Sequence, residues 1–256
     1  MRQDFEHLIY TAEDKLATIR FNRPERMNAM SRQAKQDFKA ALELAAVEPA
    51  VRVLALRGEG RAFCTGIDLK ELSTETVGVH NFAQWEECLR IIESMDKVVI
   101  SLMHGYSLGG GVQLGLACDL RIGTPKSMYG LPAAKEGLVP GLAVWRLAKF
   151  IGMGRAKEMA LWGERIDGIE AQRIGLVTRL VSDENRDAEF DALVAKTVAY
   201  ASQGARTTKL AMNQVAPLDF DAALAVYLDF QGRGLASADF AEAMLAYREK
   251  REARWN

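Results

Sequence analysis

His104-Gly105-Tyr106-Ser107-Leu108-Gly109-Gly110-Gly111 is the most informative stretch of this sequence, and it directly follows an apolar run at positions 98–103. The apolar run predicts a buried strand, and the residues from 110 to 117 predict a helix. A glycine-rich turn between a strand and a helix directs backbone N–H groups and the positive end of the helix dipole at one point. The stretch therefore predicts an anion site. Glycines at such a turn also allow close helix packing, and that alternative stays open here.

Two other functions for this stretch are excluded. A Gly-x-Ser-x-Gly pattern centred on Ser107 matches the nucleophile elbow of serine hydrolases, which need a histidine later in the chain. All three histidines precede Ser107, at positions 7, 80 and 104. A dinucleotide-binding fingerprint needs an acidic residue about 20 residues further on, and Asp119 and Glu136 lie at the wrong distance.

Composition limits the class of protein. The chain has 256 residues, of which 49% are hydrophobic and 26% charged, so it predicts a globular protein of one or two domains rather than a disordered chain. The 33 Lys and Arg residues balance 34 Asp and Glu residues. A net charge of -1, without a basic cluster interleaved with aromatic residues, argues against nucleic acid as a partner.

Cysteine spacing and the N-terminus indicate the compartment. Cys64, Cys88 and Cys118 form an odd set without CxxC spacing, which fits neither a disulfide framework nor a zinc site. We therefore expect no metal and a reducing compartment. The first residues lack the apolar core of an export signal, so the sequence predicts a cytoplasmic protein.

One stretch has about the length of a membrane span. Residues 98–116 contain no acidic or basic residue apart from His104. Their serines, glutamine and glycines favour a buried strand, a turn and a buried helix instead. The sequence therefore predicts no membrane partner.

The surrounding pattern predicts an α/β core. Strands are expected at 5–12 and 15–21 as a hairpin, and a helix capped by Ser31 follows them. Strand, helix, strand in sequence implies parallel pairing. Beyond Asn185 the apolar spacing is helical only. The other predicted elements are strands at 51–57, 98–103, 119–122 and 176–181, a helix around 85–95, and a helix N-terminus with a capping box at 167–170.

Three stretches together resemble the enoyl-CoA hydratase/isomerase (crotonase) superfamily: residues 21–29 (FNRPERMNA), 61–72 (RAFCTGIDLKEL) and 104–111 (HGYSLGGG). Pro140-Gly141 and the closing residues 248–253 fit as well. The resemblance covers nearly the whole chain. It implies a spiral of ββα units with a helical C-terminal region that forms homotrimers or homohexamers. Residues 1–195 would be the α/β core that binds acyl-CoA, and residues 196–256 the oligomerisation region.

The resemblance also implies a site. The matching positions for the two backbone N–H groups that hold the thioester oxygen of an acyl-CoA are Ile67 and Gly110. Such an oxyanion hole suits an enolate, because fixed main-chain donors stabilise charge in a dry site. Coenzyme A is implied only as part of the substrate, with no further cofactor. Its expected contacts are Arg26, Ala62, Asp68, Leu69 and Lys70; for Arg26 and Lys70 a role as solvated surface charges stays open.

The chain departs from the family's hydratases at both glutamates that activate and deliver water. Gln113 and Ala133 occupy these positions, and neither side chain is a general acid or base. We therefore expect poor simple hydration of enoyl-CoA. Glu136, three residues after Ala133, is the first candidate for a replacement carboxylate, with a solvated or Lys135-paired role as the alternative.

Three further residues near these motifs have expected roles, and two alternative functions stay open. Asp68 is expected to brace the loop beside the oxyanion donor. His80 is expected to be a surface histidine, and an acid–base role is its alternative. His104 is expected to be a core residue. Around Gln113 and Pro140-Gly141 the chain is also similar to a cofactor-free dihydroxyphenylacetyl-CoA dioxygenase branch. An arylacetyl-CoA oxygenase, and a CoA-binding homologue without activity, are the alternative functions.

Overall fold

A computed structural model describes residues 1–74 and 78–255, and within them it shows two sheets surrounded by helices. The strands are β1 (Arg2–Asp4), β2 (Leu8–Glu13), β3 (Leu16–Phe21), β4 (Val53–Gly58), β5 (Ala62–Cys64), β6 (Val98–Leu102), β7 (Tyr106–Leu108), β8 (Leu120–Gly123), β9 (Met128–Gly130), β10 (Arg165–Asp167) and β11 (Arg179–Leu180). The helices are α1 (Arg32–Val47), α2 (Leu69–Thr74), α3 (Val79–Ser94), α4 (Gly110–Ala117), α5 (Ala143–Trp162), α6 (Gly168–Arg173), α7 (Arg186–Tyr200), α8 (Gln203–Val215), α9 (Phe220–Leu235) and α10 (Ala238–Glu249). Pro24–Arg26 and Pro132–Glu136 form 3-10 helices.

The larger sheet has the order β1-β2-β3-β4-β6-β8-β11. Its first three strands are antiparallel, and from β3 onward each neighbouring pair is parallel. The predicted hairpin and the predicted parallel pairing are therefore confirmed. The strand expected at 176–181 is shorter than predicted, because only Arg179–Leu180 pairs with β8.

The smaller sheet has the order β10-β9-β7-β5, and its strands were not predicted. Strand β5 lies just after the strand predicted at 51–57. The glycine-rich stretch that was expected to be a turn contains β7. Each unit thus has a strand in the large sheet, a short strand in the small sheet and then a helix, as in β6-β7-α4. This is the predicted α/β spiral of ββα units.

The core lies on both faces of the large sheet. Along β4, Leu54 and Leu56 pack into the cluster beneath α1, α3 and α4, whereas Val53 and Ala55 face the cluster that includes Phe190 of α7. Interior parallel strands are buried on both faces, so their sequence is continuously apolar. This explains why β4 and β6 were predictable without alternation.

Helix boundaries follow local capping. The Ser31 hydroxyl accepts a hydrogen bond from the Ala34 N–H at 3.1 Å, which confirms the predicted start of α1. Asp167 caps α6 by accepting from the Glu170 N–H at 2.8 Å. The Glu170 carboxylate pairs with Arg173 rather than completing the predicted capping box.

The C-terminal region is helical from residue 186 to residue 249, as predicted, and the 195/196 division falls within α7. Helices α8, α9 and α10 begin at side-chain caps, and α9 buries none of its residues in the single chain. Large apolar side chains on these helices are therefore exposed: Met212, Phe220, Tyr227, Leu228, Leu235 and Tyr247.

All three cysteines are buried and free. Burial raises the pKa of Cys64, Cys88 and Cys118 to about 12, so each stays a protonated thiol near neutral pH. They fill core space between the sheets and helices.

Candidate active site

The predicted site residues converge on one cavity of about 660 Å³. Its wall is formed by the 3-10 helix at Pro24–Arg26, the loop after β5, the start of α3, the glycine turn before α4, and the segment from residue 132 to residue 142. Predicted site residues on this wall are Arg26, Ile67, Asp68, Leu69, Lys70, Gly110, Gln113 and Glu136. Ala62 lies outside the lining, in β5, where its carbonyl accepts from the Asn28 amide at 2.7 Å.

Two backbone segments meet at the centre of this wall. Gly66 has φ +84°, and a Cβ atom placed on it would lie 2.5 Å from the backbone nitrogen of Gly110. Only glycine allows this approach and this φ without strain. The loop after β5 and the N-terminus of α4 are therefore in direct backbone contact.

This contact involves the Gly110 nitrogen itself, and Ile67 is the residue that follows Gly66. Gly110 is the first residue of α4, a position whose N–H has no partner within a helix. Ile67 forms a bridge with Met30, but that bridge uses the Gly66 carbonyl and the Asp68 N–H. Across residues 1–74 and 78–255, neither the Ile67 N–H nor the Gly110 N–H has a protein acceptor. Both line the cavity and are available to an oxygen atom of a ligand.

The glycine turn allows close packing and also carries an N–H group without a protein acceptor among the described residues. A Cβ atom on Gly111 would lie 1.9 Å from the Cys64 carbonyl oxygen, so Gly111 permits close packing of α4 on β5. Its neighbour Gly110 presents the unpaired N–H. Ser107 is fully buried and does not line the cavity, in agreement with the exclusion of a serine nucleophile.

Asp68 anchors the loop that carries Ile67. Its carboxylate is 2.6 Å from the Arg23 guanidinium and also accepts from the N–H groups of Lys70 and Glu71 at the start of α2. Burial opposes ionisation of Asp68, but the hydrogen bonds from Arg23 and Glu71 hold its pKa below the usual value. The Asp68 side chain therefore braces the loop, as expected.

The rim of the cavity is predominantly cationic. Arg26 and Lys70 are exposed there, and so are Arg61 and Arg165, which the sequence analysis did not propose. Glu25 is the exposed acidic residue beside Arg26, and its carboxylate is 4.0 Å from Arg23. Such a rim suits phosphate groups, which arginine and lysine bind through charge-assisted hydrogen bonds.

Gln113 and Ala133 both line the cavity. Gln113 is 6% exposed, and its Oε1 atom has no hydrogen-bond partner among the described residues. The amide packs against Gly141, where a Cβ atom would lie 2.6 Å from Oε1. An unpaired buried carbonyl oxygen on a cavity wall can accept a hydrogen bond from a bound molecule.

Glu136 ends the 3-10 helix that begins at Pro132. Residues three apart in a 3-10 helix lie on the same face, so Glu136 stands one turn beyond the cavity-facing Ala133. Within the described ranges, the Glu136 carboxylate has no hydrogen-bond or ion-pair partner, and it does not pair with Lys135. By contrast, Glu86 accepts from the Arg146 guanidinium at 2.7 Å.

The histidines lie apart from this cavity. His80 is exposed in the first turn of α3 and does not line the wall. His104 is 1% exposed, and its Nε2 atom is 3.1 Å from the Gly60 carbonyl oxygen. Burial lowers the pKa of His104, so a neutral core imidazole is favoured, as predicted.

Lys35, Asn81 and Trp85 are further cavity residues that were not predicted from the sequence. Lys35 lies on the apolar face of α1 between Ala34 and Phe38, where a lysine is out of place. That position was the available signal, because a charged residue within an apolar helical stripe must be compensated or bind something.

Residues 1–74 and 78–255 contain neither a membrane-spanning helix nor a cluster of metal ligands. No helix there is long and apolar enough to cross a membrane. No three His, Cys, Asp or Glu side chains there are grouped so as to hold a metal ion.

Comparisons with known proteins place the fold and site in a family. The family model of enoyl-CoA hydratase/isomerase matches residues 11–256. The chain is 32% identical over 253 residues to a crotonyl-CoA hydratase of Syntrophomonas wolfei, with 97% of each protein covered. It is 33% identical over 245 residues to a probable enoyl-CoA hydratase of Rhodobacter capsulatus, covering 94% of this chain and 95% of the relative.

Solved structures of enoyl-CoA hydratases have the same fold. The fold matches the crystal structure of an enoyl-CoA hydratase from Bacillus anthracis with a TM-score of 0.91 at 28% identity, over 98% of this chain and 99% of that one. The chain belongs to the enoyl-CoA hydratase/isomerase family, whose members act on acyl-CoA substrates. None of these names points to an oxygenase or to an inactive homologue.

Replacing Asp68 by Asn is expected to lower the free energy of unfolding by about 2 kcal/mol at pH 7, because Arg23 loses its carboxylate in a largely buried position. The folded-state pKa of Asp68 lies below the unfolded value, so this stabilisation is present above about pH 4 and is lost as the pH falls through the folded pKa. Urea denaturation between pH 7 and pH 3 should show the two proteins converging toward low pH. Asp4→Asn, in the exposed pair with Arg2, should change little. A difference that does not depend on pH would contradict this assignment.

Proposed function

We propose that this protein catalyses a lyase or isomerase reaction on an acyl-CoA by stabilising a thioester enolate between the N–H groups of Ile67 and Gly110. The supporting observation is the contact of Gly66 with Gly110, which brings two unpaired N–H groups to one point of the cavity wall. Donors fixed in this way cost no reorganisation as charge develops, and each is typically worth about 10²–10³ in rate.

Coenzyme A would enter across the cationic rim. Its phosphates would contact Arg26 and Lys70, which are exposed at the cavity mouth. Leu69 lines the same mouth, and Asp68 keeps the loop in place. Ala62 is fully buried and lies outside the cavity lining, so it is not proposed as a contact of coenzyme A. No further cofactor is needed for this chemistry.

Glu136 is the proposed acid–base group. Transfer of the α-proton to its carboxylate would leave the C–H electron pair in a new C=C bond and move the carbonyl π pair to oxygen, where the two N–H groups donate. The unpaired carboxylate of Glu136 on the cavity wall supports this role. Gln113 would orient the acyl group or a water molecule through its free Oε1 atom.

A comparison of two ligands tests the oxyanion hole without mutation. We expect butyryl-CoA to bind about tenfold more tightly than its thioether analogue S-butyl-CoA, because only the thioester offers an oxygen to the two N–H groups. Titration calorimetry measures both affinities. Equal affinities would contradict the oxyanion assignment, and no binding of any acyl-CoA by the folded protein would refute the proposed function.

Glu136→Gln is expected to reduce turnover of an accepted acyl-CoA by about 10²–10⁴, since a general acid–base group is lost. A panel of acyl-CoA substrates, including arylacetyl and cyclic acyl groups, first identifies the accepted one. Glu184→Gln, an exposed glutamate outside the cavity, is the matched control and should leave turnover unchanged.

The same panel tests the departure from the hydratases. With Gln113 and Ala133 in place of the glutamates, wild-type hydration of crotonyl-CoA should be orders of magnitude below that of family hydratases. Efficient hydration would contradict this expectation. Turnover unaffected by Glu136→Gln would leave the oxyanion hole but remove the acid–base assignment.

We further propose that residues 196–256 form the oligomerisation region of a homotrimer or homohexamer, with residues 1–195 as the acyl-CoA core. The exposed apolar side chains of α9 and its neighbours support this, because such surfaces are rarely left open on a monomer. Light scattering at micromolar concentration should give three or six times 28.3 kDa. Leu228→Asp, on the exposed face of α9, should shift the mass downward, and a monomeric wild type would refute the proposal.

A further inference from the structure

Lys35 is a buried cation on the wall of the cavity. It lies on α1, is 5% exposed, and lines the same space as Ile67 and Gly110. Its ammonium donates a hydrogen bond to the Asn81 side-chain oxygen, its one protein partner among the described residues. An ammonium has three donors, so two are left for a ligand.

The charge of Lys35 is not balanced by a carboxylate. No acidic side chain in residues 1–74 or 78–255 forms an ion pair with it. Glu71 attracts it at a distance, but the Glu71 carboxylate accepts hydrogen bonds from the Arg32 N–H at 2.9 and 3.1 Å. Burial lowers the pKa of Lys35, which expresses the cost of an unpaired ammonium in this place.

Two other charged side chains on the described cavity wall, the buried Asp68 and the half-buried Glu86, are compensated. Asp68 is paired with Arg23 at 2.6 Å. Glu86 is paired with Arg146 at 2.7 Å. Among the residues that the structure describes, the positive charge of Lys35 is therefore uncompensated, and this charge favours an anionic group on the ligand.

Trp85 connects the position of Lys35 with the proposed thioester position. A Cβ atom on Gly110 would lie 3.5 Å from the Trp85 Nε1 atom, so the indole stands beside the proposed thioester position. Asn81 precedes Trp85 by four residues on α3, and the two share one face about one helical turn apart. Asn81 thus lies roughly 5 Å from Trp85 along the axis of α3, and the Lys35 ammonium is bound to its side-chain oxygen. Arg26 and Lys70, in contrast, are exposed at the rim.

We propose that Lys35 and Asn81 bind a carboxylate carried by the acyl group, so that the substrates are CoA monothioesters of short dicarboxylic acids. This inference rests on the proposed function, because it presumes an acyl-CoA with its thioester at Ile67 and Gly110. The Lys35 ammonium supplies two donors to the carboxylate. The Asn81 amide nitrogen, which has no protein acceptor within the described residues, supplies another.

Calorimetric titration with two thioesters of equal chain length tests the proposal. Glutaryl-CoA ends in a carboxylate, whereas pentanoyl-CoA ends in a methyl group. We expect the wild type to bind glutaryl-CoA about 10- to 100-fold more tightly, because charge-assisted hydrogen bonds replace water at the ammonium. Lys35→Met, which keeps the length and apolar stem, should abolish this preference while retaining pentanoyl-CoA binding. Lys39→Met, one turn further along α1 in an exposed pair with Glu87, is the matched control and should keep the preference.

The outcomes separate this proposal from the one on which it rests. If pentanoyl-CoA binds as well as or better than glutaryl-CoA, the carboxylate site is wrong and the acyl-CoA function stands. If Lys35→Met keeps the preference, Lys35 is not its source and the proposal is overturned. If neither thioester binds to the folded wild type, both proposals fail. The wild-type comparison decides the question even if Lys35→Met does not fold.

Discussion

The contact between the backbones of Gly66 and Gly110 is the constraint on which the rest of the site depends. A side chain at position 66 would collide with the Gly110 nitrogen, so the loop after β5 and the start of α4 could not approach each other this closely. The contact requires that the loop after β5 be held firmly against the N-terminus of α4. The Met30–Ile67 bridge and the Asp68–Arg23 ion pair hold that loop, while Gly111 lets α4 approach β5.

This arrangement separates two parts of the chemistry. The proposed oxyanion donors belong to the main chain, so they depend on backbone path and on glycine rather than on particular side chains. The side chains around these two donors would supply the acid–base groups and determine the substrate specificity. In the proposed function, Gln113 and Ala133 would therefore alter the reaction without disturbing the oxyanion site, and the Glu136 carboxylate would act from a neighbouring turn.

The large sheet was predictable because β2, β3, β4 and β6 are long enough to show alternation or continuous burial. The strands of the small sheet have three residues each, too few for a periodic signal, and they form through tertiary pairing. Helix α5 was not predicted, because Gly152 and exposed Trp145 obscure its pattern. The family motifs located Ile67 and Gly110 in the sequence, but the cationic residues Arg61 and Arg165 reach the rim only through folding.

Lys35 differs from Arg146 and Lys209, two buried cations that the protein itself pairs with carboxylates. Arg146 is buried between Glu86 and Glu93, and it holds α3 against α5. Lys209 is buried beside Asp119 and two backbone carbonyls, and it ties α8 to the sheet. Each of these cations has its charge matched by the protein. Within the described part of the chain, Lys35 has a single neutral acceptor and lines the cavity, so its desolvation cost is borne there without a matching anion. A ligand carboxylate would complete the pattern that the other two cations already show.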